Sequence, residues 1–158
     1  IKSDRKIKAL KSLQGKIWRH AYGAGLIKGH VYDDVKENFE KWVAMGLKIY
    51  IYSSGSVEAQ KLIFGYSTRG DLTNFLSGYF DTNVGHKQEA KSYQNILEAI
   101  NLKGEEVLFL SDIPNEVIAA DAVGINCIIL DRPNNPTELS EEIRKKFKVT
   151  KTFNEIQF

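Results

Sequence analysis

A single cysteine among 158 residues rules out an internal disulfide, and with it the cross-linked scaffold of a small secreted domain. That residue, Cys127, lies in the apolar run Ile125–Leu130, which predicts a buried strand in a cytosolic protein rather than a nucleophile. No apolar run approaches the roughly 18–20 residues that a membrane-spanning helix needs, and no secretory signal pattern is present. Charge of one sign is lacking too: Lys+Arg 22 against Asp+Glu 20 leaves a net charge of +2. This near balance speaks against a dedicated nucleic-acid binder, whose positive charge would be concentrated. Lys2, Lys6, Lys8, Lys11 and Lys16, and the basic stretch Arg144–Lys148, fall in helix-like segments and read as solvated faces. Repeats and low-complexity segments are absent. An initiator methionine is missing as well: the chain starts at Ile1 and its only methionine is Met45, so we expect that this start is not the natural one. These absences predict a cytoplasmic protein, with the nucleus open to a eukaryotic one, that acts without nucleic acid or membrane.

What is present suits a folded core. The chain is 42% hydrophobic, enough at this length for one domain. Residues 4–28 are predicted helical, with Ile7, Leu10, Leu13, Ile17 and Trp18 at helical spacing until Gly23, Gly25 and Gly29 break the pattern. Asp33 or Asp34 can cap a second helix that carries Val35, Phe39, Trp42 and Val43 and is closed by Gly46. Strands are predicted at 47–52, 79–81, 107–110 and 126–130, and helices at 56–66, 89–100, 114–123 and 139–146. Strands alternating with helices through short links predict an α/β fold built on a doubly wound parallel sheet. The alternation begins only near residue 47. Residues 1–32 therefore read as a separate helical piece, and 33–158 as the α/β core.

Ligands of such sheets bind at the carboxyl ends of the strands, and three polar groups fall there. The strand 107–110 delivers Ser111 and Asp112 to a loop, Pro114 opens the next helix and Glu116 sits in its first turn. Two carboxylates so placed suit Mg²⁺, which takes one or two protein oxygens and completes its shell with water and phosphate. They equally suit the capping of a helix start. Ser53-Ser54-Gly55-Ser56 follows the first strand and leads into a helix, offering hydroxyls and backbone N–H groups as an anion cradle, or simply a cap. Lys87, in Gly85-His86-Lys87 before the helix 89–100, can bind phosphate as a mobile point charge or decorate the surface. Serines, a lysine and a carboxylate pair in that order would make a Mg²⁺-phosphate site. His20, His30 and His86 lack the mutual spacing for metal ligation. Trp18, Tyr22 and Trp42 are expected to pack, and Glu58 and Gln60 to be exposed on their helix.

This order resembles the second, third and fourth motifs of the haloacid dehalogenase superfamily of phosphatases. KIYIYSSGSVEAQKLIFGYS at 48–67, YFDTNVGHKQEAKSY at 79–93 and VLFLSDIPNEVIAA at 107–120 are similar, more narrowly, to the enolase-phosphatase (acireductone synthase) family of methionine salvage. LKSLQGKIW at 10–18, Gly25 and Lys28 resemble that family's helical cap. The resemblance implies that Ser53 and Ser54 hold the substrate phosphate and that Lys87 is catalytic, binding both the phosphate and the nucleophile's charge. It implies that Asp112 is a Mg²⁺ ligand, directly or through water, with Glu116 the second acid of the metal loop. The implied reaction enolises 2,3-diketo-5-methylthiopentyl 1-phosphate and hydrolyses the enol phosphate to 1,2-dihydroxy-3-keto-5-methylthiopentene. The implied protein is a monomer acting on a small-molecule phosphate.

One departure is large. The family's first motif, a strand ending in Asp-x-Glu-Gly-Thr that carries the nucleophile, occurs nowhere here. Phe80-Asp81-Thr82-Asn83 lacks the second acid and occupies the approach to the lysine. We therefore expect the N-terminal strand and part of the cap to be missing, the segment alone to be inactive, and the strands at 47–52 and 107–110 to expose edges that favour aggregation. A smaller departure is Arg132-Pro133-Asn134-Asn135, where the family reads Arg-Pro-Gly-Asn. Asparagine tolerates left-handed backbone, so the turn should survive. Two other readings remain: a phosphatase of the same superfamily with a different small phosphate ester, and a non-catalytic phosphate-binding module.

Overall fold

The computed structural model describes residues 16–135 and 138–158, and the backbone divides into two units, Ile1–Tyr79 and Phe80–Phe158. The expected boundary after residue 32 thus falls inside the first unit. Part of the first predicted helix, at 4–15, lies outside the described residues; 16–23 are helical and a turn follows. Helix α1 (Asp33–Ala44) buries Val35, Phe39 and Trp42 along one face. Its N-cap is Tyr32, so Asp33 and Asp34 lie in the first turn instead of capping it, where their charge favours the helix dipole. Leu47 N–H donates to the Trp42 carbonyl, 3.0 Å away. That bond keeps Leu47 in the helix terminus, and strand β1 (Ile49–Tyr52) begins two residues later than expected.

Helix α2 (Val57–Gly65) starts at Ser56, whose hydroxyl accepts the Ala59 N–H at 3.1 Å. Strand β2 (Leu76–Phe80) pairs with β1. It lies earlier than the expected 79–81 because Asp81 turns the chain, its carboxylate accepting the Asn83 N–H at 2.9 Å. The residues before α1 are stapled to those after α2: Gly29 N–H donates to the Tyr66 carbonyl and Thr68 N–H to the Gly29 carbonyl, both at 2.8 Å. A Cβ at residue 29 would overlap the Ile63 carbonyl, so this approach requires glycine.

The second unit runs α3 (Ala90–Ile100), β3 (Leu108–Ser111), α4 (Pro114–Asp121), β4 (Asn126–Leu130), α5 (Glu141–Lys146) and β5 (Lys148–Thr150). Strands β3, β4 and β5 form one parallel sheet in that order, with Ser111 opposite Ile129 and Leu130 opposite Thr150. Helices join successive parallel strands, as the alternating pattern predicted. Strand β5 was not expected; three residues carry too little periodicity, and only pairing with β4 defines it. Strand β3 forms an edge of its sheet. The core gathers Val117, Ile129, Leu139 and Phe147, with Phe109, Cys127, Ile143 and Val149 packed against it. Ile129 is fully buried on the central strand. Ile129→Ala should lower stability by about 3–4 kcal/mol in urea denaturation; a loss under about 1 kcal/mol would show that this centre does not hold the unit together.

Candidate active site

Strand β3 is apolar until Ser111, where it ends and the chain turns through Asp112 and Ile113 into α4. Pro114 is accommodated in the first turn of α4 because an N–H there has no helical partner to lose. The Ser111 hydroxyl donates to Glu116 Oε2 at 2.8 Å and accepts the Ile113 N–H at 3.1 Å. Glu116 Oε1 lies 3.0 Å from Lys87 Nζ. Both oxygens of a buried carboxylate are thereby engaged, the condition under which such a charge is tolerated. Lys87 comes from the loop between the turn Thr82–Val84 and α3. The structure thus brings Lys87, Glu116 and Ser111 together beside Asp112, at the carboxyl end of a parallel strand.

The two acids of this loop differ in situation. Glu116, expected as the second metal acid, is held by Lys87 and Ser111. Asp112 is half-buried and makes no side-chain hydrogen bond or ion pair among the described residues. Among those residues no group of three or more His, Cys, Asp or Glu could hold a metal. The described residues therefore offer Asp112 as one oxygen donor rather than a complete cage.

Ser53 and Ser54 lie in the first unit, at the carboxyl end of β1. The Ser53 hydroxyl accepts the Gly55 N–H at 3.1 Å, and Ser54 is exposed. Gln60, expected on the surface, is instead 2% exposed and donates from Nε2 to the Gly55 carbonyl at 3.0 Å. One turn into α2, it reaches back to brace the serine loop. Glu58 is exposed as expected and pairs with Arg19. Trp18, Tyr22 and Tyr66 form a row of mutually tilted rings with centroids 6.3 and 6.0 Å apart, while Trp42 packs on Phe39.

Several look-alikes resolve as structure. Asp81 has one carboxylate oxygen on the Asn83 N–H and the other on the Asn83 amide, so it caps a turn. Burial, and after it the Asp121 carboxylate, push the Cys127 thiol up to about 12. It therefore stays protonated at neutral pH and is no nucleophile. His86 Nδ1 accepts the Gln88 N–H at 3.2 Å within its turn. The turn after Arg132 closes with Asn135 N–H on the Arg132 carbonyl at 3.1 Å. It needs no left-handed asparagine, since Asn101 is the only non-glycine with positive φ among the described residues.

Gly85, two residues before Lys87, has φ 132° and faces the first turn of α3, where an added Cβ would meet Ser92 Cβ at 2.8 Å. Gly85→Ala combines backbone strain with a clash and should cost about 2–4 kcal/mol. Urea denaturation checks it; wild-type stability would mean that the loop relaxes freely.

Known proteins are similar to this chain along most of its length. The model of the haloacid dehalogenase-like hydrolases matches residues 4–124. The chain is 54% identical over 155 residues to enolase-phosphatase E1 of Anopheles gambiae, covering 98% of itself and 52% of that protein. It is 52% identical over 155 residues to enolase-phosphatase E1 of Salmo salar, covering 98% of itself and 59% of that protein. The chain thus spans only a little over half the length of these curated relatives. Among solved structures, the UTR4 protein of Saccharomyces cerevisiae superposes with a TM-score of 0.84 at 42% identity, over 93% of this chain and 66% of that one. A dehalogenase in an intermediate complex, at 24% identity and a TM-score of 0.63, shares the fold over 76% of this chain and 52% of its own.

Proposed function

We propose a function on one premise: the chain belongs to the haloacid dehalogenase-like hydrolases. The whole protein is read as a Mg²⁺-dependent enolase-phosphatase that enolises 2,3-diketo-5-methylthiopentyl 1-phosphate and hydrolyses the enol phosphate to 1,2-dihydroxy-3-keto-5-methylthiopentene and phosphate. The observation that carries this reading is the Lys87–Glu116 pair, 3.0 Å long, beside an Asp112 with no side-chain partner. Similarity to proteins named enolase-phosphatase E1 supports the choice of substrate. In this reading residues 1–32 belong to a helical cap and 33–158 to the catalytic core.

Each residue then has a task. Lys87 presents a fixed positive charge to the phosphoryl oxygens, and Glu116, braced by Ser111, sets where that charge sits. Asp112 fits Mg²⁺ as a single hard oxygen donor, since Mg²⁺ takes few protein ligands and keeps water and phosphate oxygens for the rest. When bound, Mg²⁺ would offset charge on the phosphoryl group and on an enolate oxygen. By the same resemblance Ser53 and Ser54 would hold the substrate phosphate, and the buried Gln60 keeps their loop in place.

No residue of this chain stands in an Asp-x-Glu-Gly-Thr pattern, so the nucleophile is assigned to none of them. The 158 residues by themselves should release no phosphate, whereas the whole protein should release it from the diketo phosphate only while Mg²⁺ is present. Phosphate release is followed with and without a chelator. Turnover by the isolated chain, or chelator-resistant turnover by the whole protein, would sink this reading.

A further inference from the structure

The geometry points to a clamp in which helix α3 positions Lys87, with Tyr93 as its central residue. The loop that leads into Lys87 lies outside the strands, and within it the His86 carbonyl accepts the Glu89 N–H at 3.0 Å. Three side chains of α3 add further contacts to the carbonyls on either side of the lysine. Asn95 Nδ2 donates to the Val84 carbonyl at 2.9 Å. Ser92 Oγ lies 2.8 Å from the His86 carbonyl and 2.6 Å from that of Glu89. The Tyr93 hydroxyl donates to the carbonyl of Lys87 itself at 2.5 Å.

These donors are well fixed. Ser92 and Tyr93 are 0% and 1% exposed. The Tyr93 ring lies edge-on to Phe109 of β3, with centroids 5.0 Å apart. The same helix turn is the surface against which Gly85 is pressed. Lys87 is therefore held at both ends: its backbone by Tyr93, and its ammonium by Glu116, which Ser111 holds in turn. The Tyr93 ring packs on the strand that delivers Ser111 and Asp112, so one side chain ties the lysine loop to the metal-loop strand. A buried tyrosine finding some acceptor would be ordinary. Asn95 on the Val84 carbonyl, Tyr93 on that of Lys87 and Ser92 against those of His86 and Glu89 bracket one lysine from one helix and hold it in a defined place.

The inference rests on the reading of Lys87 as the phosphate-binding cation, and Tyr93 is a positioning residue because it acts through Lys87. Tyr93→Phe removes the hydroxyl and keeps the ring on Phe109. In the whole protein it should lower kcat about 10- to 100-fold, the cost of a misplacement near 1 Å, without unfolding the protein. Acetylation by a limiting succinimidyl ester, followed by mass spectrometry with Lys103 as the exposed reference, should show Lys87 modified several-fold faster than in wild type. Asn95→Ala should shift both measurements the same way to a smaller extent. An unchanged Lys87 acetylation rate in Tyr93→Phe overturns the clamp, and so does faster acetylation with unchanged kcat. Full activity in Lys87→Ala overturns the functional reading and the clamp with it. An inactive Lys87→Ala beside a wild-type-like Tyr93→Phe overturns the clamp alone.

Discussion

Lys87→Ala should lower phosphate release by the whole protein at least about 100-fold, through loss of a fixed positive charge at the reacting phosphate. The same substitution should destabilise the protein by about 2–4 kcal/mol, because it leaves a buried carboxylate without its cation. Glu116 has no water-facing escape: it is 7% exposed and its second oxygen is held by Ser111. A double variant, Lys87→Met with Glu116→Gln, removes both charges and should recover most of the stability while staying inactive. Denaturation and phosphate release measured side by side separate the two roles of the lysine. Equal stability in Lys87→Ala and wild type would show that the ion pair contributes nothing to folding. Recovered activity in the double variant would show that the charge is not used in turnover.

Asp112→Asn should behave in the opposite manner. Phosphate release should fall at least about 100-fold, with the remaining activity needing far more Mg²⁺, because a neutral amide is a poorer partner for a hard cation. Stability should change by no more than about 0.5 kcal/mol, the range of a substitution that breaks no contact, since Asp112 has no side-chain partner among the described residues. A Mg²⁺ titration of activity, set beside a denaturation curve, tests both parts. Wild-type Mg²⁺ dependence in Asp112→Asn would remove this residue from the metal site. Glu116→Gln completes the contrast, with a marked loss of stability and a smaller shift in Mg²⁺ requirement. In the proposed function the acids four residues apart in SDIPNE have separate work: Asp112 is offered to metal, while Glu116 is held by the lysine.

Much of this arrangement could be read from the residues. The apolar run into Ser111-Asp112, the proline at the helix start and the glycines that follow helices all act locally, and local rules act on neighbours in sequence. What escaped the reading depends on distant partners. Strand β5 exists because Lys148–Thr150 meets β4, and three residues carry no period of their own. Gln60 reads as a helix-surface glutamine until its amide is seen on the Gly55 carbonyl, five residues back. Tyr93 reads as one more aromatic of an amphipathic helix; its hydroxyl finds the Lys87 carbonyl only because Gly85 lets the loop fold against the helix. Glu116 was legible as the second acid after β3, but its engagement by a lysine 29 positions earlier was not.

The thiol of Cys127 has a practical consequence. It is held protonated, with its ordinary value pushed up to about 12, and it packs among the residues around Ile129. Maleimides and similar reagents need the thiolate, so the native cysteine should stay silent toward them. A second cysteine at an exposed position such as Gln157 would then be the one reactive sulfur of this chain. Fluorescent or paramagnetic probes could be placed at will on an otherwise native sequence, with no need to remove the cysteine already there.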